Sequence, residues 1–202
     1  MAGDDARLPF VGLTGGIGAG KSEALAALEG LGAATLSADA VVHELLVSDE
    51  VRDELTARLG DAVAPGGEVD RAKVAEAVFG DDERRKWLEG ILWPRVGKRI
   101  AGWREDLQDR PEPPRAAVVE VPLLFEAGME AGFDATIAVV ADEETRRERA
   151  EARGHAGLAS RTARQLPQEE KAQRADYAVR NDGTLEELKR KLSEVLGRIE
   201  SS

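Results

Sequence analysis

Between Gly12 and Glu23 the chain reads GLTGGIGAGKSE and holds five of its 21 glycines. Within it, Gly15-x-x-x-x-Gly20-Lys21-Ser22 has the spacing of a phosphate-binding loop. Glycine lets a backbone curl until successive N–H groups point at one centre. A helix that starts there turns its positive end toward the same point. Gly16, Ile17, Gly18, Ala19 and Gly20 would supply the cradle. Lys21 would reach the terminal phosphates, and the Ser22 hydroxyl would ligate Mg2+. Glu23 falls in the first helical turn, where an acid suits the positive end. A glycine-rich turn beside a chance lysine is the bland alternative.

Other residues could work with such a loop, each with a plainer reading beside it. Asp39 could orient an acceptor hydroxyl and take its proton, or cap a helix beginning near Ala40. Glu120 closes an apolar strand and could contact metal or acceptor, or simply end the strand. Arg146, Arg149 and Arg153 share a helical face. That face could close over phosphates, or lie in solvent paired with Glu143, Glu144, Glu148 and Glu151. Trp87, Trp93 and Trp103 could pack an amphipathic helix or wall a pocket. His43 stands four residues after Asp39, one helical turn on.

The elements that must position these groups are legible in pattern. Apolar runs at Pro9–Thr14, Ala33–Ser37, Ala116–Val121, Ala135–Val140 and Tyr177–Arg180 predict strands. Leu25, Leu28 and Leu31 predict a helix after the loop, with Gly32 ending it. From Ala40 to about Gly102 the pattern is helical and charged, broken by Gly60 and a turn at 64–67. QDRPEPP (108–114) predicts a loop, and Thr145–Arg153 a basic helix. Thr184 with Glu187 predicts a capping box for a last helix, with Leu185, Leu188, Leu192, Val195 and Ile199 as its stripe. Strands alternating with helices predict an α/β fold with a parallel sheet. The loop and Asp39 would then follow strand ends and Glu120 would lie near one, where such sheets hold ligands.

Composition narrows the classes. The chain has 202 residues, no cysteine and two histidines, so disulfides are excluded and a zinc site is not expected. Its net charge of −11 gives no field that attracts nucleic acid, and anions must be held locally. No apolar run suits a membrane span, and the first residues lack a signal-like core, so a cytoplasmic protein is expected.

The chain resembles the dephospho-CoA kinases over nearly its full length. The resemblance rests on LTGGIGAGKS (13–22), Ala38-Asp39 with His43, Leu92-Trp93-Pro94 and Glu120-Val121-Pro122-Leu123-Leu124-Phe125-Glu126. Arg149, Arg153, the Arg161…Gln165 pair and the 175–183 segment ADYAVRNDG add to it. It implies a P-loop NTPase fold: a five-stranded parallel sheet flanked by helices, with a helical acceptor-binding insertion and a lid. A core of about 8–39, 115–141 and 175–202, an insertion of about 40–110 and a lid of about 142–170 would form a single domain.

It also implies transfer of the ATP γ-phosphoryl group to the ribose 3′-hydroxyl of dephospho-CoA, the last step of coenzyme A biosynthesis, with ATP and Mg2+ as cofactors. Asp39 would be the base, with Lys21 and Arg149 stabilising the phosphoryl group. Asn181 and Gly183 would lie by the adenine. Thr14, Asp39, His43, Trp93, Glu120, Leu123 and Leu124 would face the acceptor. A monomer or weak homo-oligomer, binding neither nucleic acid nor membrane, is expected. Three positions depart from the family pattern: Glu120 for Asp, Trp93 for His and Arg146 for Gln. A different P-loop nucleotide or nucleoside kinase is the nearest alternative. A GTPase-type switch would need an Asn-Lys-x-Asp guanine reader, which the chain lacks. A catalytically silent nucleotide-binding module would share the loop.

Overall fold

The computed structural model describes residues 7–152 and 165–202. Five strands form one sheet: β1 (Phe10–Gly15), β2 (Ala34–Ser37), β3 (Ala117–Glu120), β4 (Ala135–Val140) and β5 (Tyr177–Arg180). Their order is β2-β3-β1-β4-β5 and every pairing is parallel. The α/β class and the five strands agree with expectation. β1 is central, and its burial on both faces explains its continuous apolar run. In register, Glu120 lies between Leu13 and Ser37, at the carboxyl ends of three neighbouring strands.

The helices among the described residues are α1 (Lys21–Gly30), α2 (Ala38–Leu46), α3 (Asp49–Leu59), α4 (Arg71–Val78), α5 (Asp82–Gln108), α6 (Glu143–Ala152), α7 (Gln168–Arg174) and α8 (Leu185–Ile199). The chain divides into two compact units. One contains the sheet and takes residues up to Ser37 and from Asp106 onward; the other is Ala38–Glu105.

In the sheet unit, Val11, Leu13, Val118, Ile137, Val139 and Val179 alternate onto one face. Ala24, Ala27 and Leu28 of α1 and Leu188, Leu192, Leu196 and Ile199 of α8 cover them. The α8 stripe departs from expectation at one end: Leu185 is exposed, and Leu196 is fully buried instead. The capping box is present, with Thr184 Oγ1 accepting from Glu187 N and Glu187 accepting from Thr184 N. The opposite face carries Gly12, on which Phe133 and Leu124 lie closely enough to leave little room for a Cβ. α7, which sequence patterning does not predict, packs on β4 and β1.

The helical unit has its own core of Leu46, Val51, Leu55, Val63, Val74 and Leu92. Trp87 packs partly against it. Ser48 caps α3, and Gly60 ends it at φ 88°. No helix among the described residues is long and apolar enough to cross a membrane.

Candidate active site

The glycine loop joins β1 to α1, as its sequence predicts. Gly18 has φ 78° and Gly20 φ 90°, in the left-handed region that an L side chain rarely enters. Space is short as well. A Cβ on Gly18 would strike the Arg146 carbonyl, and one on Gly20 would strike the Asn181 amide. The loop is therefore glycine-rich both for its curl and because two other segments press against it.

Those segments are α6 and the turn after β5. Arg146 Nε donates to the Ile17 carbonyl at 3.0 Å, and Arg149 Nη1 donates to the Asn181 carbonyl at 3.1 Å. Both arginines are half-buried, while Arg147 and Glu148 are exposed. Arg146 thus bonds the loop and Arg149 the turn after β5, so neither is the solvated surface residue of the plainer reading. Asn181 is 3% exposed, and its Nδ2 donates to the Ala19 carbonyl at 3.0 Å and to Glu23 Oε2 at 3.3 Å. Glu23 therefore has a role beyond favouring a helix end: it accepts from the group that holds the loop.

Lys21 Nζ donates to the Gly15 and Gly16 carbonyls, both at 3.2 Å, which places the ammonium over the curl of the loop. Ser22 is exposed, and its hydroxyl has no hydrogen bond among the described residues. Thr14 is fully buried, and its Oγ1 donates to the Pro122 carbonyl at 3.3 Å. It ties the loop entrance to the segment leaving β3, and, contrary to expectation, it has no exposed surface with which to face an acceptor. Leu123 is half-buried, but Leu124 is fully buried under Gly12. Leu124 is thus a core residue, and the expectation that it faces an acceptor does not hold: no surface of it remains. Gly183 is exposed, and the Glu187 carboxylate fills the space that a Cβ there would need.

A cavity of about 510 Å³ opens beside the loop, with Gly16, Ile17, Asp142, Arg146, Gln165 and Arg180 in its lining. Sequence reasoning missed much of this wall. Arg180 bonds to Asp142 at 2.7 Å and to Asp182 at 2.8 Å. Burial pushes the Asp182 carboxyl up, but hydrogen bonds from the Asp142 N–H and Arg180 hold it below the usual carboxylate range. Gln168 makes two bonds to Ala141 at the end of β4, accepting at 3.1 Å and donating at 2.7 Å. Strongly charged segments carry these residues, and nothing in their spacing marks them as cavity walls.

Asp39, His43 and Trp93 lie in the helical unit. Asp39 is on the first turn of α2, two residues past β2, and is exposed. The helix starts at Ala38, so Asp39 is not its N-cap, and its carboxylate has no hydrogen bond among the described residues. Arg71 Nη1 lies 2.7 Å from His43 Nδ1. A guanidinium only donates, so that nitrogen accepts and the ring proton sits on Nε2. Trp93 is 38% exposed on α5. Arg153 and Arg161 lie outside the described residues.

Comparison with known proteins agrees with this arrangement. Residues 9–187 match the dephospho-CoA kinase family. A dephospho-CoA kinase of Protochlamydia amoebophila is 39% identical over 193 residues, covering 94% of this chain and 95% of that one. One from Deinococcus radiodurans is 40% identical over 193 residues, covering 94% and 92%. A crystal structure from Thermus thermophilus superposes with a TM-score of 0.79 at 36% identity, covering 95% of this chain and 98% of that one. The dephospho-CoA kinase from Campylobacter jejuni superposes with a TM-score of 0.61 at 26% identity, covering 95% and 97%. A glycine loop after a central strand, an arginine-bearing helix bonded to its rim and a family match across most of the chain converge on one conclusion: the chain belongs to the dephospho-CoA kinase family.

Proposed function

We propose that the protein transfers the γ-phosphoryl group of ATP to the ribose 3′-hydroxyl of dephospho-CoA, giving CoA and ADP. One observation carries this reading beyond the family match. The loop that would cradle phosphates is bonded at its carbonyls by Arg146 and Asn181, and Arg149 bonds the Asn181 carbonyl, which supports a site where phosphates and a stabilising cation would meet. Phosphoryl transfer needs little else from a protein than position and charge. Loop N–H groups and Lys21 would hold the β- and γ-phosphates, and Arg149 would offset charge that spreads onto the transferring oxygens. Asp39 would orient the 3′-hydroxyl and take its proton as the new P–O bond forms. Its exposure and freedom from hydrogen bonds among the described residues suit that work. Asn181 and Gly183 would border the adenine. Leu123, Glu120, His43 and Trp93 are the residues proposed to meet the acceptor, with Thr14 holding that wall from beneath.

Ser22 is the residue proposed to hold Mg2+. Among the described residues no three His, Cys, Asp or Glu cluster into a metal cage. One free hydroxyl beside a phosphate cradle fits a cation that takes few protein ligands and completes its shell with water and phosphate oxygens. When bound, it would neutralise charge on those oxygens. The lid expected over about 142–170 runs through residues 153–164, which lie outside the described residues. We further propose that the protein acts in the cytoplasm as a monomer or weak homo-oligomer.

The test is acceptor choice. ADP release is followed with ATP and either dephospho-CoA or a panel of nucleosides and nucleoside monophosphates. Dephospho-CoA should give the highest kcat/KM by far. Faster turnover of any nucleoside or nucleotide would replace this reading with that of another P-loop kinase.

A further inference from the structure

Lys171 on α7 is fully buried, an unusual place for an ammonium group. Its charge is paired. Nζ lies 3.0 Å from Glu126 Oε1 and donates to the Pro122 carbonyl at 2.6 Å. A third contact, to Thr14 Oγ1 at 3.5 Å, is long and weak. Thr14 also donates to the Pro122 carbonyl, so two donors converge on one oxygen. That oxygen belongs to the first residue after Val121 at the β3 exit, and Val121 N is bonded to the Leu13 carbonyl. Farther along α7, Arg174 Nη2 donates to the Phe125 carbonyl at 3.4 Å, and its guanidinium lies 4.8 Å from the centre of the Phe125 ring. Glu126 Oε1 also accepts from Leu166 N at 2.7 Å. The segment 122–126 is thus gripped from one side by a short helix, at both its ends.

Lys171 has no surface with which to touch a substrate, so it does not act on one directly. A buried ion pair is a poor source of stability, because apolar groups of the same volume often serve as well. What this pair does that apolar groups could not is donate a hydrogen bond to the Pro122 carbonyl, between β3 and Leu123, while accepting one from Leu166 N. We propose that Lys171 is a positioning residue for the acceptor: through Pro122 and Glu126 it sets the path of the β3 exit, and with it the wall that Leu123 presents to dephospho-CoA. Burial lowers the basicity of the lysine, and Glu126 works against that drop. The inference rests on the acceptor assignment made above.

The test compares Lys171→Met and the double variant Lys171→Met/Glu126→Gln with the parent. The double variant removes both charges, so it leaves no carboxylate buried without its cation. Both should raise KM for dephospho-CoA by about 10-fold, the usual scale for losing a hydrogen bond to a charged group, while KM for ATP stays within about twofold. The double variant should regain melting temperature lost by the single one without regaining acceptor KM. Recovery of both together, or equal rises in the two KM values, would reduce Lys171 to a structural residue and overturn the proposal. Hydrogen exchange of the folded proteins separates this failure from failure of the acceptor assignment. Residues 121–127 should exchange faster in the double variant while α1 is unchanged. If the parent does not phosphorylate dephospho-CoA, the acceptor assignment fails on its own, and unchanged protection at 121–127 would still overturn the positioning role.

Discussion

The side-chain amide of Asn181 donates to the carbonyl of Ala19 at 3.0 Å, which bonds the turn after β5 to the phosphate-binding loop after β1. The two residues are 162 positions apart. With Arg149 bonded to the carbonyl of the same asparagine, the loop, the turn and α6 form one connected support. A residue expected only to border a base also holds the cradle in shape.

Asn181→Ala removes that support and leaves the buried Ala19 carbonyl without its donor. ATP KM should rise by about 10-fold, the scale of an unsatisfied buried polar group. Steady-state kinetics with each substrate varied in turn checks this, and the KM for dephospho-CoA should change far less.

Arg149→Ala should lower kcat by at least about 100-fold while nucleotide affinity changes little, because charge on the phosphoryl oxygens grows only as transfer proceeds. Arg149→Lys should recover only part of the loss, since an ammonium lacks the planar fork. Single-turnover rates with bound ATP measure this directly.

Asp39→Asn keeps size and removes the proton acceptor. Turnover should fall by at least about 100-fold, with nucleotide affinity retained. Calorimetric titration with ATP beside the kinetic assay separates the two effects, and unchanged turnover would remove Asp39 from the base role.

Acid stability should depend on Glu200. Arg115 Nε and Nη2 donate to its two carboxylate oxygens at 2.7 and 2.6 Å, and those hydrogen bonds hold Glu200 below the usual range. A carboxylate with a depressed folded-state pKa adds stability above its unfolded pKa, about 4.3, and loses it as pH falls through the lower folded value. The pair is about one-third exposed, so the effect is screened. Melting curves of parent and Glu200→Gln should differ by about 1–3 °C at pH 7 and converge as pH falls from about 4.3 through the lower folded value.

β1, β3 and β4 were readable because each is a largely apolar run buried in a parallel sheet, as in ATIAVV at 135–140, whereas β2 (ATLS) is only half-buried and β5 (YAVR) buries Val179 alone. The glycine loop was readable because its backbone path admits almost no other residue at Gly18 and Gly20. α7 was not. Its QEEKAQR reads as a solvated charged stretch, yet Gln168 and Lys171, three apart on one face, are its buried positions. Only their long-range partners, Ala141, Pro122 and Glu126, make that burial tolerable, and no local pattern announces a partner 27 or 49 residues away. Leu124 was misread for the same reason. Its place in a VPLL string says nothing about which leucine turns under Gly12.

The most direct test of the whole account is the product itself. The protein is incubated with ATP, Mg2+ and dephospho-CoA, and the products are separated and their phosphorus spectra recorded. The account predicts CoA, with one new monoester phosphate on the ribose 3′-oxygen for each ADP released. ADP formed with dephospho-CoA unchanged, or phosphate on any other oxygen, would contradict it.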